Sequence, residues 1–95
     1  MSEEACRIDV WLWRARFFKT RSLAARYVDE GRVRLTRASG EAVRLDKPSR
    51  TVRLGDGVVF ALGGRLVAVR IEALGERRGP ASEAQGLYSP LQQSS

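Results

Sequence analysis

The chain has 95 residues, 43% hydrophobic and 29% charged, a balance that predicts one small globular domain and argues against disorder. It holds no histidine and one cysteine, Cys6, which excludes His-based catalytic triads, imidazole-bearing zinc sites and an internal disulfide framework. Its net charge of +6 is carried by the first half: residues 7–53 hold thirteen Lys or Arg against five Asp or Glu. Such segregation predicts an anionic partner, with nucleic acid foremost. Fifteen of the seventeen cations are arginine, whose planar fork suits bidentate phosphate contact.

In chain order, residues 1–6 begin acidic and lack an apolar segment, so no signal peptide is expected. Ile8, Trp11, Leu12, Ala15 and Phe18 recur at i, i+3, i+4 and i+7, which predicts an amphipathic helix over 8–18. Asp9 stands near its start, where a carboxylate caps or complements the positive helix end. Arg14 and Arg16 project from other faces, and Lys19 and Arg21 fall in the following turn. A second helix is predicted over 21–30, with Thr20 as N-cap and Gly31 just past its end. Ala24, Tyr27 and Val28 form its apolar edge, flanked by Leu23.

After Gly31 the period changes to two. Val33 and Leu35 alternate with Arg32 and Arg34, which predicts a half-exposed strand with arginines outside. Residues 36–42 read as a turn pivoting at Gly40, Val43–Leu45 as the returning strand, and Val52 and Leu54 as the pattern resumed after Pro48. Gly55-Asp56-Gly57 is a turn signal. Val58–Leu62, Gly63-Gly64 and Leu66–Ile71 predict a hairpin closed by a two-residue turn. Val58–Leu62 is also the longest apolar run, far short of the roughly 20 residues that span a bilayer. Residues 77–95 lose apolar content and carry Gly79, Pro80, Gly86 and Pro90, so they read as a mobile tail with one helical turn around 81–87.

The residues from Arg7 through Arg21, followed by Ser22 through Leu35, resemble the two helices and first strand of the S-four-type RNA-binding domain. Within that superfamily the Trp11-Leu12-Trp13 triplet, the segment Arg77-Arg78-Gly79-Pro80-Ala81-Ser82-Glu83-Ala84 and Leu87-Tyr88 are similar to the ribosome-associated heat shock proteins of about fifteen kilodaltons. The resemblance covers roughly residues 7–88. Gly55-Asp56 agrees with the family pattern. Val10 stands where the family usually has a lysine, and Thr36-Arg37 where it usually has Asn-Gly. The resemblance implies an α+β fold, two short helices on a small, mostly antiparallel sheet, with a domain at 7–75 and a C-terminal extension, partly helical or disordered, at 76–95. It further implies a stress-related role: binding of ribosomal RNA on a large subunit, in the recycling of subunits stalled with a nascent chain and its tRNA.

Arg16, Lys19, Arg21 and Arg26 are the main candidates for the RNA surface, extended by Arg32 and Arg34, with Arg14 and Arg7 as further candidates. The alternative for these cations is a solvated face with local pairs such as Arg26–Glu30 or Arg26–Asp29, worth only a few tenths of a kcal/mol, roughly, each. Trp11 and Phe18 are assigned to the core. Trp13 and Phe17 either stack on a base or pack under the C-terminal segment. Cys6 has no second Cys or His beside it in the sequence, Asp29 and Glu30 point different ways, and Gly63-Gly64 is a turn rather than a phosphate cradle. No catalytic constellation, metal site or cofactor is expected. The reading is a cytoplasmic, monomeric, non-catalytic RNA-binding domain without membrane contact. Its rivals are a protein-interaction module for an acidic partner and a general nucleic-acid binder, DNA included.

Overall fold

The chain leaves a two-residue strand, β1 (Cys6–Arg7), directly into α1 (Ile8–Arg14); these belong to residues 5–91, which a computed structural model describes. The helix stops short of its apolar stripe because Arg16 adopts φ +66°. Arg16 N–H donates to Trp13 O (3.0 Å) and Phe17 N–H to Leu12 O (3.1 Å), the paired bonds of a Schellman motif, whose left-handed position usually holds glycine. The reversal still returns Phe18 to the stripe: Ile8, Trp11, Leu12, Ala15 and Phe18 are all buried.

The next helix, α2 (Arg21–Asp29), has both expected ends. Thr20 Oγ1 accepts the Leu23 N–H at 3.1 Å, and Gly31 takes φ +75°. Gly31 N–H donates to Val28 O and Arg32 N–H to Tyr27 O, so the two helices end in the same motif, one with glycine and one with arginine at its left-handed position. Ala24 and Val28 are buried against α1 and the sheet.

The strands that follow are β2 (Val33–Thr36), β3 (Ala42–Val43), β4 (Thr51–Val52), β5 (Gly57–Leu62) and β6 (Arg65–Ile71). A short helix α3 (Ala81–Ala84), a 3-10 turn at 85–87 and β7 (Tyr88–Pro90) complete the described chain. Five strands form one antiparallel sheet in the order β3-β2-β5-β6-β7. Leu62 pairs with Arg65 across Gly63-Gly64, whose φ values of +60° and +80° are the two positive values that a type I′ turn requires. Val33, Leu35, Val58, Phe60, Val69 and Ile71 point inward and join the stripe of α1 and α2 in one core. Their alternates, among them Arg34, Thr36, Val59, Ala61, Leu66, Ala68 and Arg70, lie on the opposite face of the sheet.

Three expectations are corrected. β4 pairs with β1, Cys6 with Val52 and Arg7 with Thr51, so the pattern resumed at Val52 belongs to a separate ribbon bracing the start of α1 and not to the five-stranded sheet. Leu54 lies past its end in a turn and is half exposed. The flexible tail is ordered through Leu91: besides the expected helical turn, β7 pairs with β6 from Ile71 to Val69, and Leu91 N–H donates to Ala68 O. Pro90 is tolerated there because β7 is an edge strand. The final residues, 92–95, lie outside the described part.

Arg37 stands where the family's glycine is usual, and it turns inward. Its guanidinium meets Asp56 at 2.7 Å, with the carboxylate side chain only 3% exposed, and also donates to Thr51 O. Asp56 Oδ2 also accepts the Arg53 N–H at 2.9 Å. The Gly55-Asp56 turn is thereby tied to the loop after β2, which fixes where the β2–β3 edge begins.

Candidate nucleic-acid interface

The sequence candidates separate into three groups. Lys19, Arg21 and Arg26 are exposed, and among the described residues no hydrogen bond or ion pair engages their side chains. The local pairs Arg26–Glu30 and Arg26–Asp29 do not form; Glu30 instead meets Arg32 at 3.1 Å. Lys19 and Arg21 bracket the N-cap of α2, and the first turn of that helix carries no acid. Its positive end and these cations therefore reinforce one another, an arrangement suited to an anion.

A second group is occupied within the fold. Arg14 folds back to donate to Gly75 O at 2.8 Å and reaches Cys6 Sγ at 3.6 Å. Arg14 Nε is buried without a hydrogen-bond partner among the described residues. Arg16 donates from Nε to Gly79 O at 2.7 Å, although the residue remains exposed. Arg7 clamps the buried Asp9 with two bonds of 3.0–3.1 Å. Asp9 thus serves as an ion-pair partner, while the N-cap position, Arg7, gives α1 no side-chain cap.

The third group lies on the strand. Arg32 is exposed but stacks 5.0 Å from the Tyr27 ring centre beside Glu30. Arg34 is exposed and projects from the sheet face opposite the helices, without an ion pair among the described residues. Lys19 and Arg21 therefore flank the start of α2 and Arg26 stands in its last turn, whereas Arg34 does not join them on the helix side of the sheet.

Trp13 and Phe17 take the packing alternative. Arg78 lies 5.8 Å from the Trp13 ring centre and donates to Trp13 O at 3.1 Å. Phe17 touches Tyr88 with ring centres 4.7 Å apart and Phe60 at 5.2 Å. Trp11 and Phe18 are buried as assigned, and Trp11 Nε1 donates to Ala73 O.

Two titrating groups are shifted. Burial pushes the Cys6 thiol up, an effect that the Arg14 charge partly offsets. The Arg50 hydrogen bond to exposed Asp46, 3.3 Å long, pulls that carboxyl below its usual range. No described helix is long and apolar enough to cross a membrane.

Outside the sequence candidates, Arg44, Lys47, Arg65 and Arg70 are also exposed and have no ion pair among the described residues. Of these, Arg44 follows β3 on the edge of the sheet. Its only sequence signal is the alternation Val43-Arg44-Leu45, the same pattern that identified Arg34.

Comparison with known proteins agrees with this architecture. Residues 6–35 match the model of the S4 domain; they contain β1, both helices and most of β2. Over 94 residues the chain is 35% identical to the Heat shock protein 15 homolog of Haemophilus influenzae, covering 99% of this chain and 67% of that protein. Heat shock protein 15 of Escherichia coli is 39% identical over 88 residues, 93% of this chain and 62% of its own length. The chain thus spans about two thirds of the length of these curated relatives. A solved structure of Heat Shock Protein 15 from Vibrio cholerae, described as trimeric, matches with a TM-score of 0.80 at 39% identity, covering 93% of this chain and 83% of its own. With the fold, the matched segment and the near full-length similarity in agreement, the chain belongs to the Heat shock protein 15 family of S4-domain proteins.

Proposed function

We propose that this protein binds structured RNA non-catalytically, through phosphate contacts made chiefly by Lys19 and Arg21 at the start of α2 and by Arg26 further along it. Arg16 and Arg32 flank this patch; Arg7 and Arg14, held by internal bonds, support it from within. The observation that carries the reading is that three exposed cations along α2, two of them beside its positive end, have no ion pair among the described residues. Cations left without internal partners are available to displace counterions from a phosphate backbone. With its aromatic side chains buried or packed against neighbouring side chains, the patch contacts backbone and shape rather than unstacked bases.

Family membership and the exposed cations of α2 support ribosomal RNA as the target, on a free large subunit that retains a nascent chain and its tRNA. In this reading the protein acts in the cytoplasm, and as a monomer because its most exposed leucines, Leu23, Leu54 and Leu66, are scattered over α2, the turn after β4 and β6. Sedimentation at three times the chain mass would overturn the monomer.

The test is binding of the Arg21→Ala/Arg26→Ala protein to ribosomal RNA over a salt series. Loss of two phosphate contacts is expected to reduce the log–log salt slope by roughly 1.4–1.8. Unchanged affinity and slope would remove the helix face as the site. Comigration of nuclease-treated protein with separated ribosomal subunits tests the target: selective association with large subunits, lost at high salt, is expected. Absence from every ribosomal fraction at low salt would exclude it.

A further inference from the structure

The outer face of the sheet carries a charge arrangement that the helix patch does not explain. Leu35 pairs with Val43 and Thr36 with Ala42. Continued one step past the last paired residues, this register places Arg34 across from Arg44, and both border one groove. Both are exposed, and neither has an ion pair among the described residues. Like charges placed directly opposite across a strand pair repel and lower stability. An anion between two guanidinium groups converts that repulsion into attraction and supplies acceptors for their forked N–H donors.

The surroundings suit such an anion. A groove of about 590 Å³ runs along this edge, bordered by Arg34, Thr36 and Arg44 and, on its core side, by apolar residues that include Val33, Val43 and Leu45, and its volume falls within the roughly 300–1,000 Å³ usual for small-ligand sites. The nearest ion pairs do not neutralise it. Asp46 is held by Arg50, Asp56 by Arg37, and Glu30 by Arg32. Glu41 is exposed on the loop and forms no ion pair among the described residues.

We propose that Arg34 and Arg44 form a second phosphate-binding site, on the sheet face opposite the helices, that grips a separate stretch of the RNA backbone. The ligand class rests on the RNA reading above; the site itself rests on the cross-strand pair and its groove. RNA that follows both patches wraps around the β3 edge of the domain. Arg44 then belongs to the binding surface with Arg34, and the interface has two faces rather than one.

The experiment compares RNA binding across a salt series for the wild type, Arg34→Ala/Arg44→Ala, Arg34→Lys/Arg44→Lys, and Arg21→Ala/Arg26→Ala. The alanine sheet pair is expected to bind at least about tenfold more weakly at moderate salt, with the slope reduced by roughly 1.4–1.8. The lysine pair is expected to keep the slope, since the charges remain. In the absence of RNA, the urea midpoint of the alanine pair should hold or rise, because a repulsion has been removed. Wild-type affinity and slope in the alanine sheet pair would overturn the site, whatever the helix pair does. An effect of the sheet pair with none of the helix pair would leave this site standing and remove the helix-face reading. A fall in the urea midpoint matched by the lysine pair would make the arginines structural, and also overturn the proposal.

Discussion

Arg16 concentrates two opposing effects in one residue. Its left-handed backbone, φ +66°, costs about 1–2 kcal/mol for a residue with a Cβ, while its side-chain bond to Gly79 O returns roughly 1 kcal/mol or more. Arg16→Gly relieves the first and loses the second, so its stability should stay close to wild type. Arg16→Ala keeps the strain and loses the bond, and should unfold at lower urea, by about 1 kcal/mol relative to the glycine variant. Equal urea midpoints for the two would mean that the backbone is unstrained. At Cys6, burial raises the thiol above its ordinary value near 9. Since the folded state disfavours the thiolate, this group adds stability below the unfolded thiol pKa, and that stability is lost as pH rises through the raised value. Alkylation of the folded protein at pH 7.5 should therefore be slower than that of the urea-unfolded chain and accelerate only above about pH 9. Equal rates at pH 7.5 would show that the thiol is not shielded.

At the scale of elements, the segment after β6 is fastened to α1 by arginines reaching in both directions. Arg14 and Arg16 donate from the helix end to Gly75 O and Gly79 O, and Arg78 donates back to Trp13 O. Gly75, at φ +77°, lets Leu87 and Arg14 approach to a distance where an added Cβ would lie 3.3 Å from Leu87 Cδ1. The other end of the segment is held by the β6–β7 ladder and by Phe17 against Tyr88. Removing Arg78 takes away a hydrogen bond and a cation–ring contact, together worth about 1–2 kcal/mol. Arg78→Ala should raise amide exchange across 78–90 several-fold and leave the β5–β6 hairpin protected. Uniform acceleration through the hairpin would mean that the segment and the sheet open as one unit.

For the whole molecule, charge is segregated between faces as well as along the chain. The helix patch and the Arg34–Arg44 edge lie on opposite sides of a single core, with cations bound inward at Arg14 and Arg37 between them. With no histidine and with arginine as the dominant cation, the proposed binding surface has no group that ordinarily titrates near neutrality. RNA affinity should accordingly stay flat between pH 6 and 8 while falling steeply with salt. A strong pH dependence in that range at constant ionic strength would require a titrating group on the RNA or an acidic residue in the interface.

The sequence by itself determined the parts of this protein governed by local periodicity and turn chemistry. The α1 stripe, the Thr20 cap, Gly31, the Gly63-Gly64 hairpin and the cation cluster around α2 each carry their signal within a few residues. The S-four-type resemblance was legible on the same local runs. Tertiary structure decided what depends on partners distant in the chain. The two-residue β1 has no period of its own and exists because Val52 and Thr51 lie beside it. The apolar-poor tail becomes β7 because an open edge of β6 accepts it. Arginines that look alike in the sequence also part ways in space. Arg14 meets carbonyls, Arg37 meets a buried carboxylate, and Arg34 faces Arg44, because the distribution of acceptors around a side chain is set by packing.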